Sequence, residues 1–327
     1  MLQIIILPAL LLLILASIAT ANDGNDRIKE MKASLHIKKS IRNNLEKTVS
    51  FLSEEVGSRG YLQLSELKKS ADYIKSEFAM YGYSVMTQPY EAKGNLYENI
   101  FVEIKGTKTP GKILVIGAHY DTVAGTPGAD DNASGVAGLL ELARLLFEGQ
   151  PDMTVQFVAF TLEEPPFFRS RHQGSYVYAK GLNSTGRVVE GMICLEMIGY
   201  FTDEPDSQFF PLPMFRWFYP SEGNFITLVG NFSSKGFLNR VKGAFKRGTG
   251  LPVETLISIS IIPGVDFSDH RSFWKFGYDA IMVTDTAFYR NPQYHGPGDI
   301  PGILDYDRMT EVVIGLKSAV LKLTDME

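Results

Sequence analysis

The sequence predicts an α/β fold: a three-layer sandwich in which a mixed, mostly parallel central sheet is covered by helices on both faces. From residue 84 onward, short β-rich segments alternate with amphipathic helical segments, which is the pattern of a largely parallel sheet. Clusters of acidic residues and histidines come directly after several of these strands. Sheets of this kind place their active sites beyond the carboxyl ends of the strands.

Two helices are predicted ahead of the sheet. Residues 36–56 carry apolar side chains at helical spacing, and Gly57-Ser58-Arg59-Gly60 ends this segment. A second helix is predicted over 63–81, opened by Ser65 and ended by Gly82.

The alternating region supplies the sheet and its covering helices. Strands are predicted at 84–88, 99–104, 112–117, 154–161, 190–197, 225–230 and 280–284. Helices are predicted at 133–147, 173–181, 235–247 and 305–323. Residues 203–224 break the alternation with four prolines and six aromatic residues, so this long loop either covers the edge of the sheet or shapes a substrate pocket.

The amino terminus is typical of an export signal. Residues 2–18 are almost wholly apolar and precede Ala19-Thr20-Ala21 and a polar run. This pattern predicts a signal peptide over 1–21, a single catalytic domain over 22–327, and a secreted or periplasmic protein without membrane contact after cleavage. The alternative is an apolar segment that stays attached as an anchor.

The net charge and the cysteine content exclude several classes of protein. A formal net charge of −5 gives no general attraction to nucleic acid or anionic lipid. The single cysteine, Cys194, excludes a disulfide framework within the chain and is most simply a buried small hydrophobic residue.

The segment GAHYDT at 117–122 contains a candidate zinc ligand, His119, directly after a predicted buried strand. Asp121 lies two positions on, where a carboxylate can take the other ring N–H and fix the tautomer. Taken alone, the His-x-Asp spacing is more often found at a surface or core histidine that binds no metal.

GADDNASG at 128–135 is more specific, because two adjacent acids lie between glycines ahead of an apolar helix. Asn132 or Ser134 can cap that helix, which leaves an acid free to bridge two cations.

Two further acidic sites end predicted strands. In LEEPP at 162–166, one of Glu163 and Glu164 can bind metal while the other takes a proton from water; the plain alternative is two solvated loop acids. Glu196 ends an apolar strand, and either a metal ion or a nearby Arg or Lys would offset the cost of burying it.

The last cluster lies near the carboxyl terminus. His295, in YHGPGD at 294–299, is the better ligand candidate in this region, whereas Asp269 and His270 suit a supporting shell or a helix cap. His36 and His172 have no acidic surroundings and are interpreted as ordinary residues.

Together these motifs resemble the co-catalytic zinc aminopeptidases, in the superfamily that also holds glutaminyl cyclases and glutamate carboxypeptidases. The likeness spans about residues 95–325. It implies two Zn²⁺ ions per chain, with Co²⁺ or Mn²⁺ as substitutes, and peptide substrates with a free amino terminus. It also implies that Glu163 is the general base and that Asp121 orients His119. The implied zinc ligands are His119, Asp131 as the bridge, Glu164, Glu196 and His295.

The resemblance leaves alternatives open. Many members have Asp where this chain has Glu196, and PPFFRSRHQGS replaces the usual Gly-rich segment after the paired glutamates. The predicted activity is a zinc-dependent aminopeptidase. The alternatives are a glutaminyl cyclase, a non-catalytic binding module or receptor, and a carboxypeptidase that uses Arg169, Arg171 or Arg216.

Overall fold

The computed structural model describes residue 29 and residues 31–326. The predicted signal peptide, residues 1–21, lies outside this part of the chain. The chain divides into two units, one ending at Asn43 and the other beginning at Asn44. Residues 31–43 of the first unit are helical. In the second unit, residues 44–50 form helix α1, which is followed by a π-helical turn, Phe51–Val56.

One eight-stranded sheet forms the centre of the second unit, with the order β1-β2-β4-β3-β5-β8-β6-β7. Its strands are β1 Met86–Ala92, β2 Asn95–Ile104, β3 Thr109–His119, β4 Met153–Phe160, β5 Val188–Leu195, β6 Ile226–Gly230, β7 Val253–Ile257 and β8 Ala280–Thr284. Four neighbouring pairs are parallel and three are antiparallel. The predicted mixed, mostly parallel α/β sheet is therefore confirmed.

The first two strands differ from the prediction because they form a hairpin. β1 was expected at 84–88 and β2 at 99–104, but the strands continue towards each other and turn at Lys93 and Gly94. Both turn residues have positive φ, 47° and 78°, as tight hairpin turns require. Pro89 interrupts the β-rich pattern, so the sequence does not indicate the full length of β1. An edge strand tolerates a proline because one side of its backbone has no partner strand.

Helices cover both faces of the sheet. Beyond α1 they are α2 Leu64–Met80, α3 Gly135–Leu146, α4 Gly174–Ser184, α5 Lys235–Gly248, α6 His270–Trp274 and α7 Tyr306–Leu323. Tyr178 of α4 and Phe273 of α6 share a core cluster with Met192 of β5. The adjacent Gly191 instead faces Phe237 of α5. Successive strand residues point to opposite faces, so α5 lies on the face opposite α4 and α6.

The central block β4-β3-β5-β8 is parallel throughout, so these four strands end at the same edge of the sheet. His119 ends β3 opposite Phe160 of β4, and Leu195 of β5 lies opposite Val283 of β8. The residues that follow these strand ends therefore meet above one edge of the sheet.

Among the described residues, no helix is long and apolar enough to cross a bilayer.

Candidate dinuclear metal site

The buried His119 closes β3, and its ring has a defined orientation. Its Nδ1 lies 3.1 Å from the backbone carbonyl oxygen of Asp121 and 3.6 Å from the carboxylate Oδ1 of the same residue. A hydrogen bond to the carbonyl oxygen requires the proton on Nδ1, which leaves the Nε2 lone pair free. His119 is oriented by the backbone of Asp121 at least as closely as by its carboxylate.

Asp131 lies at the centre of the site, and its two carboxylate oxygens face different histidines. Oδ1 is 3.4 Å from His119 Nε2, and Oδ2 is 3.2 Å from His295 Nε2. The chain is kinked here, since Asp131 has non-helical backbone angles within the π-helical turn Ala129–Ser134. The kink presents one carboxylate to both sides of the site.

A further carboxylate accompanies each histidine. Glu196 Oε2 lies 3.3 Å from His119 Nε2, and Glu164 Oε1 lies 3.5 Å from His295 Nε2. The structure thus brings together two sets of possible ligands that share Asp131, each with its ligand atoms within 4.8 Å of one another. A third set, His119 with Glu163 and Glu164, meets the same limit, so proximity alone does not separate the roles of the two adjacent glutamates.

The carboxylate of Asp121 holds the turn that carries these glutamates. Its Oδ1 accepts from the backbone N–H of Glu163 and its Oδ2 from that of Glu164, both at 3.1 Å. The Glu163 side chain is held less firmly, because its hydrogen bond from Gln173 Nε2 is long, at 3.5 Å. Asp121 therefore links the histidine loop to the glutamate turn.

Burial and like charge make this cluster unfavourable without cations or protons. Burial raises the pKa of Glu163 well above its usual value and that of Glu164 to about 7. Burial opposes the charged form of His295, but hydrogen bonds to Asp131 and Glu164 outweigh it and raise the pKa of His295 to about 10. The carboxylates thus favour a positive charge at this position. Divalent metal ions suit such a site, because their charge offsets the negative charge of the carboxylates.

The backbone of the site is held by two residues that the sequence motifs did not indicate, Asp299 and Arg59. Asp299 accepts from the backbone N–H groups of Asp130 and Asp131, at 2.8 and 3.0 Å. The fully buried Arg59 donates to five backbone carbonyls, including those of Tyr120 at 2.7 Å and Gly128 at 2.8 Å. Arg59 thereby ties together the loops that carry His119 and Asp131. Its position between Gly57 and Gly60 indicated only the end of a helix, and no local pattern marks its role.

The other residues considered from sequence lie around the site or away from it. Ser268 Oγ donates to Glu196 Oε2 and lies 3.1 Å from the buried Cys194 Sγ. Asp269 is fully buried, and its Oδ1 lies 3.3 Å from Gln173 Nε2. His270 contacts the carbonyl oxygen of Val265. Asn132 rather than Ser134 accepts from the first N–H of α3, at 3.1 Å.

Comparison with known proteins identifies the family of the chain. Residues 99–318 match Peptidase family M28. Protein YfbL of Escherichia coli (strain K12), itself described as uncharacterized, is 46% identical over 280 residues, which cover 83% of this chain and 85% of YfbL. Leucine aminopeptidase 1 of Fusarium vanettenii is 25% identical over 303 residues, which cover 88% of this chain and 70% of that protein.

Solved structures share the fold. BSAP, a zinc aminopeptidase from Bacillus subtilis, gives a TM-score of 0.70 at 17% identity over 86% of this chain and 95% of that one. Glutaminyl cyclase from Bacteroides thetaiotaomicron gives 0.63 at 19% identity, over 85% and 97% of the two chains. The match over residues 99–318 and the identity to YfbL confirm the resemblance that the motifs indicated: the chain belongs to Peptidase family M28.

Proposed function

We propose that this protein is an exported aminopeptidase that uses two zinc ions to remove N-terminal residues from peptides. One observation carries the proposal: a single carboxylate, that of Asp131, faces both His119 and His295, and each histidine has a second carboxylate beside it. The names of the Fusarium and Bacillus relatives support the choice of aminopeptidase within the family.

The donor set fits two divalent cations. His119 and Glu196 would hold one ion, His295 and Glu164 would hold the other, and Asp131 would be shared. Mixed imidazole and carboxylate ligands suit zinc, and they also accept Co²⁺ or Mn²⁺. When bound, such a pair makes water nucleophilic at neutral pH and polarises a carbonyl oxygen.

The residues of the chain supply proton transfer and positioning. Glu163 Oε1 faces the amide of Gln173, and we assign Oε2 as the atom that takes a proton from the attacking water and delivers it to the leaving amine. Burial raises the pKa of Glu163, which favours a carboxylate able to hold that proton between the two transfers. Asp121 acts as a positioning residue, because it fixes the backbone of both glutamates.

Aminoacyl anilides will test the activity. We expect the metal-stripped protein to be inactive and activity to return with about two zinc ions per chain, because both histidine sets need a cation. A glutaminyl cyclase would instead release ammonia from a peptide with N-terminal glutamine without cleaving its chain. Zinc binding without either reaction would support a non-catalytic binding module and contradict the proposal.

Arg169 and Arg216, two of the three arginines that a carboxypeptidase could use, do not form a free cationic pocket. Arg169 is paired with the buried Asp266, which also accepts from Arg271. Arg216 lies in the loop 203–224, within the 3-10 turn Pro213–Trp217. It does not line the apolar cavity to which Glu196, Phe215 and Tyr219 contribute. The structure therefore offers little to attract a C-terminal carboxylate through these residues.

Export is proposed from the sequence of the amino terminus. The apolar residues 2–18 followed by Ala19-Thr20-Ala21 support cleavage after Ala21 and a secreted or periplasmic location. We expect the mature protein to begin at Asn22, as measured by the mass of the intact chain recovered outside the cytoplasm. A chain that begins at Met1 and sediments with membranes would support the anchor instead.

A further inference from the structure

The segment 165–173 follows the paired glutamates, where the resemblance implies a Gly-rich sequence. Its last residue, Gln173, directly precedes helix α4 and is only 2% exposed. A buried amide needs hydrogen-bond partners, and two of the partners of Gln173 are carboxylates at the candidate site. This segment therefore returns a polar side chain to the site that it leaves at Glu164.

The backbone beside Gln173 is fixed against the sheet. The N–H of Gly174 donates to the carbonyl oxygen of Thr161 at 2.8 Å, and the carbonyl oxygen of Gly174 accepts from Asn99 Nδ2 at 2.8 Å. A Cβ atom at Gly174 would lie 2.3 Å from Asn99 Oδ1 and 2.4 Å from the carbonyl oxygen of Thr161. Only glycine permits this close approach, so the position from which the Gln173 side chain starts is well defined.

The amide group of Gln173 also has a defined orientation. Its Oε1 accepts from the backbone N–H of Arg169 at 3.0 Å. Because a backbone N–H can only donate, this contact assigns the oxygen and turns the Nε2 hydrogens to the other side. Arg169 is itself held, since its guanidinium pairs with the buried Asp266. The same guanidinium lies 5.1 Å from the ring centroids of both Phe168 and Phe267.

The Nε2 atom of Gln173 lies between two buried carboxylates. It is 3.5 Å from Glu163 Oε1 and 3.3 Å from Asp269 Oδ1. An amide NH₂ group has two hydrogens, so each carboxylate can accept one of them. Both hydrogen bonds are long, as catalytic hydrogen bonds often are before substrate binds. Gln173 thus connects Glu163 to Asp269, the residue that precedes helix α6.

A neutral donor is a suitable partner for a general base. A lysine or arginine at this position would stabilise the ionised form of Glu163 and weaken it as a base. An amide orients the carboxylate without adding a charge. With Oε1 held by Gln173, Oε2 is the oxygen left for the attacking water.

We propose that Gln173 is a positioning residue: its amide, fixed by Asp269 and by the backbone of Arg169, holds Glu163 Oε1 so that Oε2 faces the water. This role rests on the proposed aminopeptidase activity, in which Glu163 is the base. The segment 165–173 thereby provides a donor side chain that a glycine at its last position could not provide.

Gln173→Leu, assayed on an aminoacyl anilide as the zinc-loaded full chain, tests this role. Leucine is close to glutamine in size but has no donor. We expect kcat to fall about tenfold, which is the effect of one hydrogen bond to a charged group. KM and the zinc content should stay close to those of the wild type, because the lost bond acts on the base and not on substrate or metal.

Gln156→Leu is the matched control, because Gln156 is also a buried glutamine with two side-chain partners. Its Oε1 accepts from the Tyr178 hydroxyl at 2.8 Å, and its Nε2 donates to Glu103 Oε2 at 3.1 Å, within the sheet and its covering helix. This variant should lower the melting temperature but keep kcat. Equal losses of kcat in Gln156→Leu and Gln173→Leu would overturn the assignment.

The Glu163→Gln background separates positioning of the base from general damage to the site. If Gln173 acts through Glu163, adding Gln173→Leu to Glu163→Gln should change the residual kcat by less than about twofold, since residues that act as a unit are not additive. A further tenfold loss in the double variant would mean that Gln173 acts on something other than the base, contrary to the proposal.

Nuclear magnetic resonance of the zinc-loaded, isotope-labelled chain examines the amide without any activity. The two side-chain amide protons of Gln173 should exchange with water more slowly than those of the exposed Gln150. Glu163→Gln should shift one of the two signals and Asp269→Asn the other, because each proton faces one carboxylate. Exchange as fast as at Gln150, or signals that neither variant moves, would refute the role of Gln173. If the signals behave as expected but no anilide is cleaved, the aminopeptidase proposal alone fails.

Discussion

Glu163→Gln is expected to lower kcat by ~10²–10⁴-fold while the protein keeps two zinc ions per chain. The amide has nearly the same shape as the carboxylate but cannot accept the proton. The hydrogen bond from the backbone N–H of Glu163 to Asp121 Oδ1 is unaffected by the change. Since a proton transfer made only in the transition state is removed, kcat and kcat/KM should fall together and KM should change little. Steady-state kinetics and elemental analysis of the same sample measure both parts of the result.

The adjacent residue provides a matched control for that experiment. Glu164→Gln changes the neighbouring side chain in the same turn, but Glu164 Oε1 lies 3.5 Å from His295 Nε2. We expect this variant to lose the zinc ion on the His295 side as well as turnover. The opposite outcome, with zinc lost from Glu163→Gln and kept by Glu164→Gln, would exchange the two roles. The third possible ligand set, which includes Glu163, makes this comparison necessary.

Asp131→Asn should weaken both metal sites at once. The native carboxylate presents one oxygen to His119 and the other to His295, and an amide nitrogen cannot replace either oxygen as a ligand. We expect zinc affinity at both sites to fall by at least about 100-fold, since even residues that only support metal ligands are worth roughly 10–100-fold. Turnover should be lost, and added zinc should raise the melting temperature less than in the wild type.

Asp130→Asn is the control for Asp131, the proposed bridging residue. Asp130 is equally buried, but its oxygens accept from the Gly199 N–H and from Asn291 Nδ2, away from both histidines. An asparagine there should keep close to two zinc ions per chain. If Asp130→Asn and Asp131→Asn lost zinc equally while circular dichroism showed both to be folded, the bridge would not lie specifically at Asp131.

Much of the fold follows from local pattern. The alternation of β-rich and helical segments predicted the α/β class, and β8, at Ala280–Thr284, has the predicted bounds. The local sequence pattern failed to predict elements whose structure depends on neighbouring strands in the sheet. The strand β7, Val253–Ile257, pairs in parallel with β6 at the edge of the sheet and is mostly half-buried, so it lacks the continuous apolar run that marks the fully buried β8. The predicted strand stopped before Pro89, so the sequence did not indicate the hairpin of β1 and β2. The proline is tolerated within β1 because this strand lies at the sheet edge.

The candidate site shows the same division. Each acidic or histidine cluster was visible in the sequence because the residue follows an apolar strand or lies between glycines. The support from Arg59, Asp299 and Gln173 was not visible, since each acts through backbone groups or side chains far away in the chain. Arg59 and Gly128, for example, are joined at 2.8 Å across 69 positions.

By itself, the sequence determined which side chains are available for metal chemistry and the kind of sheet that carries them, because ligand chemistry and hydrophobic period are local properties. The tertiary structure decided which candidate ligands face each other, that Asp131 lies between the two histidines, and that aromatic residues of the loop 203–224 line a cavity beside Glu196. These features depend on the parallel register of β4, β3, β5 and β8 and on packing between distant segments. No single stretch of sequence encodes either one.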